Sequence, residues 1–154
     1  MSARQRVSLA MSVATLCGAG LARRAPGTWG STVVLPFVLL GPGACLFLAG
    51  VMTIAAFWAA AHVLHEEMED PGWFVADEGA GMLLALAGLH SASLPGLLLA
   101  FLLFRAFDIV KPWPVSWADR QPGATGVIVD DLIAGLMAAL ILTGLQAAFP
   151  GVLI

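Results

Sequence analysis

An all-α integral membrane domain, one unit over residues 1–154 with about five apolar helices, is expected from three features of the chain. First, 60% of the residues are hydrophobic and 11% charged, where soluble domains carry about 25% charged residues, and the mean hydropathy is +0.93. Second, no charge occurs from Ala25 to Ala61, from Gly79 to Phe104, or from Leu132 onward, gaps long enough for membrane-embedded helices or helical hairpins. Third, these runs are rich in Ala, Leu and Met, which favours helices over strands.

At the N-terminus, Arg4 and Arg6 precede the apolar run Val7–Ala22. A signal peptide would need a small-residue cleavage site next, but Arg23-Arg24 follow, so a retained amphipathic, interfacial helix is expected. Gly41-Pro42-Gly43 divides the first gap into Thr32–Leu40 and Ala44–Leu64, and residues 90–96 divide the second into Glu78–Leu89 and Leu97–Val110. Each pair reads as an antiparallel hairpin. A last helix runs from about Val127 to Phe149. Asp77 to His90 is about 20 Å of helix, short of the ~30 Å hydrocarbon core, so the second hairpin is shallow or the bilayer thins around it.

Hairpin geometry brings the polar residues to one end. Asp77-Glu78 precede the turn near Ala92 by about as many residues as Asp108 follows it. By the same count Thr28 and Ser31 share an end with His62, His65 and Glu66, and Asp130-Asp131 join them at the first turn of the last helix. All seven Lys and Arg residues lie on that face, which the positive-inside rule makes cytoplasmic. His90 falls at the opposite turn and should be inert. The net charge of −3 and the lack of a basic patch with interleaved aromatics exclude nucleic acid as a partner, and nothing points to a protein partner.

Five carboxylates, Asp77, Glu78, Asp108, Asp130 and Asp131, converging near lipid would repel one another unless a cation held them. Oxygen ligands with almost no His or Cys suit Mg²⁺ or Mn²⁺ rather than zinc. Mg²⁺ bound by carboxylates commonly serves a phosphate. The plainer alternative makes Asp77 and Asp130 helix N-caps. Arg105 and Lys111 share a helical face with Asp108 and would neutralise a bound phosphate, or else snorkel to the interface. Trp113 and Trp117 read as interfacial anchors. In "APGTWGS", residues 25–31, a Pro-Gly turn offers the Thr28 and Ser31 hydroxyls and free N–H groups suited to an anion, or simply a cap. "CGAGLAR", Cys17 to Arg23, satisfies the C-x5-R pattern of thiol phosphatases, but Arg24 stands where Ser or Thr is wanted, and a working thiolate is not expected.

"PGTWGS", "DEGAGM", "FRAFDIVKPWPVSWADR" and "GVIVDDLIAG" together resemble, in order, the motifs of the phosphatidylglycerophosphatase A family, from about Leu16 to Gly135. The resemblance implies a bacterial Mg²⁺-dependent phosphatase that converts the phospholipid phosphatidylglycerophosphate to phosphatidylglycerol and phosphate, in phospholipid biosynthesis at the inner membrane. It carries the metal ligands over to Asp77, Glu78, Asp108, Asp130 and Asp131, the basic positions to Arg105 and Lys111, and the substrate turn to Gly27, Thr28 and Ser31. It adds Asp70 as an outer ligand. Ala76 and Ala80 depart from the larger apolar residues usual there.

The expected chemistry is attack of a metal-activated water on the phosphomonoester, with Glu78, then Asp131, as general base and Arg105 or Lys111 stabilising the transition state. The competing reading is a cation-coupled transporter or channel subunit, which would want carboxylates at mid-helix and polar groups at both faces. A phosphatase for another phosphomonoester is the nearer alternative.

Overall fold

The computed structural model describes residues 2–64 and 71–153. Among them are seven α-helices and no strand: α1 (Ala3–Ala14), α2 (Pro26–Val33), α3 (Pro42–Val63), α4 (Ala76–Leu86), α5 (Leu94–Val110), α6 (Val115–Asp119) and α7 (Ala124–Ala148). His65, Glu66 and Asp70 lie outside the described residues.

Local chemistry sets the ends. Ser2 caps α1 reciprocally, its hydroxyl accepting from the Gln5 N–H while the Gln5 side chain accepts from the Ser2 N–H. Leu16 and Cys17 then take left-handed backbone angles (φ 45° and 56°), so α1 stops well short of Ala22. Proline opens α2 and α3 and stands second in α5, positions where its missing N–H costs nothing. Lys111, at φ 48°, ends α5 directly before Pro112, whose ring disfavours a helical residue ahead of it.

α4 is the hub. Nine of its eleven residues are buried, packed chiefly between α7 and α3 with α2 and α5 at its sides. Small residues allow this. A Cβ on Gly135 would stand 2.1 Å from the Gly81 carbonyl oxygen, and one on Gly88 2.6 Å from Ala139 Cα, so α4 and α7 meet backbone to backbone. The hydrophobic core gathers Met82, Leu83 and Leu86 of α4 with Phe104 of α5 and Ala138 and Leu142 of α7.

Several expectations are corrected here. Thr32–Leu40 is not a helix of a first hairpin: α2 starts earlier, at Pro26, and passes into a 3-10 turn over Leu35–Leu40. The second hairpin is not α4's main packing, because the glycine face of α4 is taken by α7. Of the expected apolar helices, two among the described residues, α3 and α7, are long and apolar enough to cross a membrane. Their 22 and 25 residues correspond to about 33 and 38 Å of rise. At 11 residues, about 16 Å, α4 is too short to span. Large apolar side chains stand exposed around the bundle, among them Phe47, Ile54, Leu102, Ile109 and Leu140.

Candidate active site

Three elements build the site. The first turn of α4 carries Asp77 and Glu78, the second turn of α7 carries Asp130 and Asp131, and the last turns of α5 carry Arg105 and Asp108. The start of α2 closes it: a Cβ on Gly27 would lie 2.2 Å from Glu78 Oε1 and 3.2 Å from Arg105 Nη1.

One carboxylate oxygen from each of Asp77, Glu78 and Asp131 falls within 4.8 Å of the others, a group able to hold a metal ion. Asp77 and Asp131 are buried. Asp77 Oδ1 accepts from the Glu78 N–H at 2.9 Å, which holds the first carboxylate in place. Glu78 Oε2 and Asp131 Oδ1 are buried without a hydrogen-bond partner among the described residues. Burial pushes the Asp77 carboxyl well above the usual range, helped by the adjacent Glu78. Burial likewise raises Glu78 to about 7, although its hydrogen bond with Asp77 and the Arg105 charge pull the other way. Such a set is costly with only protons to neutralise it and favourable around a hard cation. The residues present therefore fit a divalent metal with oxygen ligands.

Arg105 Nη1 pairs with Asp108 Oδ2 at 2.5 Å, one helical turn apart. That contact is an ion pair without hydrogen-bond alignment, and Nε and Nη1 are left buried with unused donors. Glu78 and Arg105 both border the Gly27 position, so buried acceptors and donors without hydrogen-bond partners are held in one site, as a bound cation and anion together would require. Asp108 also comes within reach of Glu78 and of the Asp131 carboxyl.

Other expected residues take different places. Lys111 Nζ pairs with Asp130 Oδ2 at 2.8 Å and with Asp119 of α6. These two partners outweigh the effect of burial and raise the Lys111 ammonium above its ordinary value. Asp130 spends its second oxygen on the Asp131 N–H at 2.9 Å. The pair Lys111–Asp130 is therefore a strut behind Asp131, and Asp130 stands outside the three-carboxylate group. Neither Asp77 nor Asp130 is an N-cap: Val75 caps α4 and Gly123 caps α7. Ser31 and Thr28 sit inside α2 rather than in a turn. The Ser31 hydroxyl donates to the Gly27 carbonyl, and the Thr28 N–H donates to the Ala25 carbonyl. His62 Nδ1 lies 2.8 Å from the Trp58 carbonyl, and the His90 N–H donates to Gln146 Oε1.

Asp119 was missed by sequence reasoning. It follows Lys111 by eight residues, no helical neighbour spacing, and only α6 folding back brings them together.

With this geometry established, comparison with known proteins places the chain. The phosphatidylglycerophosphatase A family profile matches residues 12–146. A Haemophilus influenzae protein named phosphatidylglycerophosphatase A is 34% identical over 138 residues, covering 84% of this chain and 83% of its own. An Escherichia coli protein of the same name is 32% identical, covering 81% and 76%. A Bacteroides thetaiotaomicron protein provisionally named a phosphatidylinositol-3-phosphatase is 34% identical, covering 83% and 87%. No solved structure matches significantly. The chain belongs to the phosphatidylglycerophosphatase A family.

Proposed function

We propose that this member of the phosphatidylglycerophosphatase A family hydrolyses the phosphomonoester of phosphatidylglycerophosphate, with Mg²⁺, at the cytoplasmic face of the bacterial inner membrane. The observation that carries this reading is the gathering of Asp77, Glu78 and Asp131 oxygens within 4.8 Å of one another, with Glu78 Oε2, Asp131 Oδ1 and Arg105 Nε buried and lacking hydrogen-bond partners among the described residues. The names of two relatives support the substrate. The exposed apolar surface of α3 and α7 and the charge-free turns on one side support embedding in the inner membrane. Phosphatase chemistry on a lipid headgroup would serve phospholipid biosynthesis.

Asp77, Glu78 and Asp131 would hold the cation, which neutralises phosphate charge and lowers the pKa of a water when bound. Arg105 offers its Nε donor, free of a hydrogen-bond partner among the described residues, to a phosphate oxygen, while Asp108 holds the guanidinium through Nη1. Glu78 is our first assignment for the base that takes the proton of the attacking water, and Asp131 the second. The water oxygen forms the new bond to phosphorus, the glycerol oxygen leaves with the bonding pair, and a proton returns to it. Gly27 leaves the room that Glu78 and Arg105 occupy. Thr28 and Ser31 shape that wall, and Lys111 acts through Asp130 rather than on the phosphate.

The test is phosphate release by purified protein from phosphatidylglycerophosphate, phosphatidylinositol 3-phosphate and soluble phosphomonoesters, with Mg²⁺ and with EDTA. Turnover confined to the first substrate and abolished by EDTA is expected. Asp108→Asn should lose nearly all of it while staying folded. Full activity in EDTA sinks the metal mechanism, and a preference for phosphatidylinositol 3-phosphate moves the substrate to that of the third relative.

A further inference from the structure

A cavity of about 410 Å³ opens between α1, the C-terminal end of α2 and α3, on the flank of α4. Its wall is hydrocarbon from Leu9, Val13, Leu16, Val34, Met52 and Leu83. The one hydroxyl on it, that of Ser12, already donates to the Ser8 carbonyl, and the other polar side chain on the wall is the weakly hydrogen-bonding Cys17 thiol. A headgroup, a sugar or a peptide backbone would find nothing there to replace its hydrogen bonds to water. Flexible hydrocarbon loses nothing.

The cavity is joined to the candidate active site along two helices. α4 begins with Asp77 and Glu78 and reaches the cavity at Leu83, five residues or about 8 Å further on. α2 touches Glu78 at Gly27 and reaches the cavity at Val33, about 9 Å further on. Leu16, on the wall, also packs against Gly79, where a Cβ would meet it at 2.8 Å. The cavity therefore starts one to two helical turns from the carboxylates, a spacing that the glycerol units between a phosphomonoester and its acyl chains can cover. Its rim residues Leu9, Val33 and Val51 are about half exposed, so the mouth opens sideways on the same apolar surface that α3 presents.

We propose that this cavity is the acyl-chain subsite of the enzyme, holding one fatty acyl chain of the phospholipid whose phosphomonoester is cleaved at Asp77, Glu78 and Asp131. The inference rests on the lipid-phosphatase reading above. Its consequence is that the lipid is bound at both ends, so that recognition includes chain length as well as headgroup.

Photolabelling separates this proposal from the reading on which it rests. Purified protein in phosphatidylcholine vesicles would be irradiated with phosphatidylglycerophosphate carrying a mid-chain diazirine, and in parallel with diazirine-bearing phosphatidylcholine. Labelling of the peptides around Leu9–Leu16 and Val33–Phe37 by the phosphomonoester lipid alone is expected. Val33→Trp and Val51→Trp, two rim variants, should each cut that labelling at least tenfold. They should raise KM for the long-chain substrate about tenfold while leaving hydrolysis of a dibutyryl analogue unchanged. Equal labelling by phosphatidylcholine would make the cavity a site for boundary lipid and overturn the proposal. So would label spread evenly over α3 and α7, or long-chain KM unmoved in both folded variants. Labelling without any phosphate release would instead count against the catalytic reading and leave the subsite standing.

Discussion

Gly27 and Glu78 stand so close that a Cβ at position 27 would lie 2.2 Å from Glu78 Oε1. The atom in the way is the end of a flexible side chain, so Gly27→Ala should displace the carboxylate without disturbing the fold. Alanine is also the better helix former, by about 1 kcal/mol. The expected result is a melting temperature equal to or above the native one, with activity down about 100-fold from a misplaced carboxylate. Native turnover by the variant would mean that Glu78 does not act from its observed position.

Gly135→Ala should behave in the opposite way. There the added methyl meets the Gly81 backbone at 2.1 Å, and neither helix can yield without parting Asp77 and Glu78 from Asp131. Overpacking of this kind costs about 1–3 kcal/mol. Gly144→Ala, on the same helix with open space at its Cβ, serves as the control and should be neutral or stabilising. Unfolding midpoints of the two variants check this.

Lys111→Met removes the partner of Asp130, whose side chain is 6% exposed. Leaving that carboxylate unpaired should cost about 1–3 kcal/mol and lower kcat through Asp131, with KM little changed. Asp119→Asn, at the 43% exposed end of the same network, should be nearly silent. A large rise in KM for Lys111→Met would return Lys111 to direct contact with the phosphate.

Burial, then the neighbouring Glu78, hold the Asp77 carboxyl above its unfolded value. The folded chain therefore binds more protons than the unfolded one, and stability falls as pH rises through that window. Asp77→Asn keeps the acceptor for the Glu78 N–H and removes the charge. In EDTA at neutral pH the variant should melt at or above the wild type. In excess Mg²⁺ the order should reverse, because a ligand at 100 times its Kd stabilises the native chain by about 2.7 kcal/mol. Calorimetry in both buffers reads the crossing, and a variant that gains as much from Mg²⁺ as the wild type would remove Asp77 from the metal site.

Orientation is testable with single cysteines at Ser91, exposed at the turn before α5, and at Gln121, between α6 and α7, in a background lacking Cys17 and Cys45. A membrane-impermeant thiol reagent on intact cells should label position 91 and spare position 121. The reverse pattern would turn the site to the outer face.

The helical class and the crowding of Asp77, Glu78, Arg105, Asp108 and Asp131 near helix ends were legible in the sequence, because charge is too costly in an apolar helix to be scattered. The stop before Pro112 and the pairing of Arg105 with Asp108 follow from local rules alone, the second because residues three apart share a helical face. The division of labour between Asp130 and Asp131 was not legible. Neighbours on a helix point about 100° apart, so which one faces the cluster depends on how α7 is rotated against α4. That rotation is set by Gly81 and Gly135, whose backbones touch across the interface. It turns Asp131 toward Asp77 and Glu78 and leaves Asp130 to Lys111. The role of Asp119 and the contact of Gly27 with Glu78 were hidden for the same reason: each relation joins residues distant in the chain and is created only when the helices pack.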